Sequence, residues 1–216
     1  NQILDVYDGL DALIVNRINK HFNNCFCILR DDIRLDRISK SLKIINPELN
    51  ILEFPSWDCL PFEMVSPNSK IVGQRVTTLT EMSQLNYSNS IILTTASSVL
   101  QKVPPENFFK NSSLSLVINQ KISQNLLINF FIQNGYLNSS TVRENSEFSS
   151  RGSIIDVFPP GSLLPVRIDF FGDVIETIKY FDPITQLTIR EIKKIKFHVG
   201  NELVLNSDSV ENFRKK

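Results

Sequence analysis

Two prolines in succession, Pro104–Pro105, divide the sequence into stretches with different hydrophobic rhythms. Proline has no N–H and restricts the residue before it, so the step ends whatever precedes it and is the best candidate for a domain boundary. Ahead of it, apolar residues recur at helical spacing between short apolar runs. In "DGLDALIVNRINKHF", residues 8–22, they stand at Leu10, Leu13, Ile14, Ile18 and Phe22, with Asp8 or Asp11 as the cap. "NCFCILR" is a short apolar strand. "DDIRLDRISKSLKII" has apolar residues at 35, 38, 42 and 45 and an aspartate pair at its start, as an amphipathic helix with carboxylates at its positive end would. "NILEFP" is a second strand. "SKIVGQRVTTLTEMSQL" is helical despite Gly73, which costs about 1 kcal/mol against alanine. "SIILTTASSVLQKV" is a buried strand, a turn and a short helix. Such alternation predicts a parallel α/β layer.

Beyond the prolines, "SLSLVI" is a strand and "SQNLLINFFIQNGY" a helix, capped by Ser123 and stopped by Gly135. Three strands follow, "EFSSRGSIIDVF", "LPVRIDFFG" and "DVIETIKYFD", the last two joined by a Gly172–Asp173 turn. "TQLTIREIKKIKFHV" continues as strand-like sequence. If side chains alternate without a break through "EFSSRGSIIDVF", then Arg151 shares a face with Ser153, Ile155 and Val157, while Ile154, Asp156 and Phe158 take the other.

Several kinds of chemistry lack their residues. A phosphate-binding loop needs G-x-x-x-x-G-K-[ST], so that backbone N–H groups cradle the phosphates and a lysine reaches the terminal ones. Where it belongs, ahead of the first helix, the chain reads "VYDGLDALIV", with one glycine, no lysine, and acids where a phosphate would sit. There is no G-x-G-x-x-G and no G-x-S-x-G, and His21 and His198 are isolated, so a Ser-His-Asp triad has no base. Asp31–Asp32 sits where a helix cap is expected, and Asp169 and Asp173 flank a turn. Cys25 and Cys27, two apart in an apolar run, read as buried thiols of a reduced cytoplasm; with Cys59 they fall short of a metal set. Lys and Arg total 23 and Asp and Glu total 23, which argues against a general nucleic-acid or membrane footprint. No apolar run reaches the ~18 residues of a membrane span. A cytoplasmic chain is expected, with no catalytic, metal or cofactor residues. The first residue is Asn and the last stretch is "ENFRKK", so a piece of a longer polypeptide is expected.

"FPSWDCLPFEMVSPNSKIVGQRVTTL" resembles the F-P-x-W-[DE]-x-L-P-[FY]-[DE]-x-x-S-P-x-x-x-I-x-x-x-R-x-x-T-L signature of bacterial transcription-repair coupling factors (Mfd). "RGSIIDVFPPGSLLPVRIDFFGDVIETIKYFDPITQLTI" resembles their R-G-x-[IL]-[IL]-D-[IV]-[FY]-P stretch, shared with the excinuclease damage-verification subunit (UvrB). The resemblance implies an α/β fold: a degenerate helicase-like (P-loop-fold) parallel layer over residues 1–104, a smaller inserted α/β domain over 105–188, and from 189 to 216 a return toward the first layer. It implies that the inserted domain docks the excinuclease ATPase subunit (UvrA). It also implies that the parent is an ATP-driven translocase acting on double-stranded DNA and RNA polymerase, its motor lying outside this chain. The alternatives are the damage-verification helicase itself, against which the missing phosphate loop counts, and a stand-alone DNA-binding module, against which the neutral charge counts.

For that docking, Arg151 is the leading residue: a planar cation at the end of a β unit, suited to bidentate pairing with a carboxylate. The plainer reading has it paired with Glu147 or Glu144. Phe148 is an aromatic anchor beside it or a core residue. Phe158, in the same motif, is open to the same two readings. Arg143 extends the basic edge or is simply solvated; many family members carry a basic residue after the Gly-Tyr step, where this chain has Leu137. Trp57 and Phe62 read as packing their loop rather than stacking on bases.

Overall fold

A computed structural model describes residues 7, 9–22, 24–59, 63–84, 90–110 and 112–204. The chain is a mixed α/β protein of two compact units, one holding residues 1–67 and 78–103, the other 68–77 and 104–216. Among the described residues no helix is long and apolar enough to cross a membrane.

The first unit contains α1 (Leu10–Phe22), β1 (Asn24–Leu29), α2 (Asp32–Ile45), β2 (Asn50–Phe54), β3 (Ser90–Thr95) and α4 (Ala96–Val99). α3 (Ser69–Ser83) gives its first half to the second unit and the rest to this one. The three strands are parallel in the order β1-β3-β2, and all six residues of the central β3 are buried, as a strand covered on both faces requires. α2 begins as expected: Asp31 is its N-cap and accepts the Arg34 N–H at 2.8 Å. It buries Leu35, Ile38, Ser39 and Leu42, a stripe at i, i+3, i+4 and i+7.

Three expectations fail here. α1 turns Leu10, Leu13, Ile18 and Phe22 outward and buries Ala12, Asn16 and Asn19. Asp11 is not its cap but lies in its first turn, paired with Arg34 at 2.6 Å; Asp8 falls outside the described residues. β1 is an edge strand with one exposed face, so Cys25 and Cys27 are half-buried rather than buried.

The second unit contains α5 (Glu106–Lys110), β4 (Leu114–Val117), α6 (Gln124–Gln133), β5 (Leu137–Asn138), β6 (Glu147–Arg151), β7 (Ile154–Val157), β8 (Val166–Phe171), β9 (Val174–Phe181), β10 (Thr188–Glu191) and β11 (Lys194–Phe197). Six strands form one sheet in the order β10-β9-β8-β7-β6-β5, and β11 pairs with β4. Residues 188–197 carry the last strands of this unit. β10 continues the six-stranded sheet against β9, β11 completes a ladder with β4, and Phe197 enters the core. Ser123 is the N-cap of α6 by position but makes no side-chain cap hydrogen bond. Gly135 follows that helix at φ 78°, the left-handed conformation that ends a helix without a Cβ penalty.

One face of the six-stranded sheet carries Phe148, Ile155, Val157, Val166, Ile168, Ile175 and Ile178, packed with Leu127 and Phe131 of α6. A second anchor involves α3. Gly73 and Gly161 approach so closely that a Cβ on Gly73 would stand 2.7 Å from the Gly161 nitrogen. The helix glycine that looks costly in the sequence is what allows this contact. Beside it the Arg75 guanidinium, fully buried, donates to Glu202 at 2.6 and 3.2 Å.

Candidate partner-docking site

The stretch "EFSSRGSIIDVF" is two strands, not one. Arg151 pairs with Ile154 across a two-residue hairpin whose first turn residue, Gly152, has φ 60°. Glycine in that position is what a type II′ turn demands, and the next hairpin repeats the device at Gly172, also at φ 60°. The turn reverses the face assignment expected from unbroken alternation. Cross-strand partners point the same way, so Arg151 shares its face with Ile154, Asp156 and Phe158, not with Ile155 and Val157.

That face is polar. Ser149, Asp156, Arg167 and Lys179 form one cross-strand row; Arg151, Ile154, Asp169 and Thr177 form the next. At the centre is the Asp156 carboxylate, 1% exposed. A charge so buried must be paired. Arg167 pairs with it through two bonds, Nε to Oδ1 at 2.7 Å and Nη2 to Oδ2 at 2.9 Å. Arg151 adds a third from Nη2 to Oδ2 at 2.9 Å. The Arg167 guanidinium also lies 4.7 Å from the centre of the Phe181 ring and donates through Nη1 to the Gln186 carbonyl at 3.3 Å. Its hydrogen bonds to Asp156 raise its pKa above the ordinary value, against the opposing effect of burial. Next to this group, Asp169 accepts Lys179 Nζ at 3.1 Å and the Thr177 hydroxyl at 2.5 Å.

Arg151 is the outlier. Its side chain is 54% exposed, against 20% for Arg167. Neither Glu147 nor Glu144 holds it: the Glu147 carboxylate accepts the backbone N–H groups of Arg143 and Glu144, at 2.8 and 2.9 Å. Among the described residues the strand edge is open here too, because β5 pairs only with Glu147 and Phe148 and leaves the Arg151 end of β6 uncovered.

The other candidates fall elsewhere. Phe148 is 1% exposed on the core face, its ring centre 5.6 Å from that of Phe131, so it fills the core. Phe158 is 5% exposed and packs with Val142 and Phe181, closing one end of the polar face. Arg143 is exposed, but its backbone is fixed to the Glu147 end of β6, four residue steps or about 13 Å along the strand from Arg151. It does not extend the same edge. Trp57 is half-buried; Phe62 lies outside the described residues. Sequence reading missed Arg167 altogether. A signal for it existed: had Gly152–Ser153 been recognised as a hairpin turn, Asp156 would have fallen on the Arg151 face and Arg167 opposite it on the next strand. Among the described residues no three His, Cys, Asp or Glu side chains gather as a metal set would require.

The sequence of this unit matches a known class of module. Residues 114–202, which hold the whole arrangement, match the family model of the UvrB interaction domain. The rest of the chain extends the likeness. It is 31% identical over 202 residues, 93% of its length, to the transcription-repair-coupling factor of Rickettsia prowazekii, and 36% identical over 168 residues, 78% of its length, to that of Rickettsia bellii. Its identity to the Escherichia coli transcription-repair-coupling factor is 29% over 164 residues, 76% of its length. The chain is thus similar to transcription-repair-coupling factors, carries a stretch that matches the UvrB interaction domain, and spans 14–18% of the length of these three relatives.

Proposed function

We propose that this chain is the recruitment module of a transcription-repair coupling factor. Its second unit docks the excinuclease ATPase subunit (UvrA), and so couples nucleotide excision repair to a stalled RNA polymerase. The observation that carries this reading is Arg151: a half-exposed guanidinium at an uncovered strand end, inside the stretch that matches a UvrB interaction domain. A cation held this way suits a carboxylate on the partner. The chain itself is non-catalytic. Its first unit is a degenerate helicase-like layer: three parallel strands with a helix ahead of them, but Asp11 paired to Arg34 in the first turn of α1, where a phosphate loop would lead in. ATP, double-stranded DNA and RNA polymerase belong to other parts of the parent protein. This predicts no ATP hydrolysis by the purified chain. Hydrolysis abolished by a point change within these 216 residues would refute it.

A further inference from the structure

Arg167 and Asp156 are assigned no role by the docking reading, yet they set the position of the residue on which it depends. Asp156 is nearly inaccessible and accepts three N–H bonds from two arginines. Arg167 is the more committed of the two: it makes two bonds to Asp156 and one to the Gln186 carbonyl, and its face lies against Phe181. Arg151 is not. A guanidinium carries five N–H donors, and among the described residues the contact of Arg151 uses a single Nη2. Two cations on one carboxylate leave a surplus positive charge. It resides on the exposed member, because Arg167 already neutralises Asp156 through a bidentate pair. The neighbouring charges do not cancel it, since Asp169 is engaged by Lys179 and Thr177.

We infer that Asp156 and Arg167 are positioning residues for Arg151, holding its guanidinium by one N–H at the sheet surface and leaving the other donors for a partner carboxylate. The inference rests on the docking reading for the identity of the partner, but not for the geometry. Arg151 then serves two carboxylates at once, one in the sheet and one across the interface. Lysine cannot take its place, because an ammonium on a flexible stem has no fixed fork to span them. Arg167 never touches the partner.

The experiment uses the 216-residue chain with ¹⁵N-labelled arginine. Guanidinium motion is followed by NMR in wild type, Asp156→Asn and Arg167→Lys, and each is titrated with the excinuclease ATPase subunit, with and without Arg151→Ala. In the free chain the Arg151 guanidinium is expected to be ordered in wild type and mobile in both variants, while the methyl spectrum of the core residues on the opposite face keeps its folded dispersion. Each variant is expected to weaken binding by about 10-fold or more when Arg151 is present and by less than about 2-fold when it is alanine. Equal losses in the two backgrounds, or an Arg151 as ordered in Arg167→Lys as in wild type, overturn the inference. Arg167→Lys keeps the charge and guards against Asp156→Asn failing to fold. If wild type does not bind the partner at all, the docking reading fails, while the motion of Arg151 in the free chain still decides the positioning role.

Discussion

Removing one member of the buried Arg75–Glu202 pair should be among the most damaging single changes in this protein. Arg75 is 0% exposed and Glu202 4% by side chain, and the two share bonds of 2.6 and 3.2 Å. Arg75→Ala would leave the Glu202 carboxylate in a site closed to water, and Glu202→Gln would remove the negative charge at the end of both of these bonds from the buried guanidinium. Breaking such a pair costs about 3–5 kcal/mol, because the desolvation of the surviving charge is no longer offset. With a urea slope of about 2 kcal/mol per molar, the unfolding midpoint of the second unit should fall by about 2 M. The transition is followed in that unit alone, since a chain of two units need not unfold in one step. The double variant Arg75→Met/Glu202→Leu, which leaves no charge behind, should recover most of the loss. A drop under about 0.5 M for either single variant would refute the reasoning, as would a double variant no better than the singles.

Gly73→Ala should destabilise by about 1–3 kcal/mol in thermal unfolding, the reverse of the usual helix gain, because its Cβ would meet the Gly161 nitrogen at 2.7 Å and Asn145 Oδ1 at 2.8 Å. Burial, and then the charge of Lys196, lower the His198 pKa from 6.5 to about 4. Its neutral form is favoured in the folded chain, so this contribution is fully present above pH 6.5 and is lost as pH falls toward 4; it is on the order of 3 kcal/mol, and His198→Gln should flatten that part of the stability profile. Cys27 is pushed up to about 11, chiefly by burial and then by Cys25 and Asp11. Its alkylation by iodoacetamide should be slow at pH 8 and still accelerating at pH 10.

The fold was most legible where one local signal sufficed. Asp31 ahead of Leu35, Ile38 and Leu42 marks a cap and a stripe, and α2 has both. The misreadings come from signals that compete or act at a distance. α1 offers two usable faces, and its apolar stripe is the exposed one, while small and polar Ala12, Asn16 and Asn19 go inside. Gly152 looks like one residue in a run of strand formers, but its positive φ makes a hairpin and reverses the face of everything after it. Glu202 lies 127 positions from Arg75, and no periodicity links residues so far apart. In the polar-face cluster, Arg151 could be singled out from the sequence as a candidate, and its neighbour Arg167 could be read only once the strand register was known.

The central claim is tested most directly by calorimetric titration of this chain with the excinuclease ATPase subunit from the same organism, beside its Arg151→Ala variant. The account predicts binding at micromolar affinity or tighter, weakened in the variant by about 2 kcal/mol, roughly 30-fold. A well-folded wild-type chain that does not bind, or a variant that binds as tightly as wild type, would contradict it.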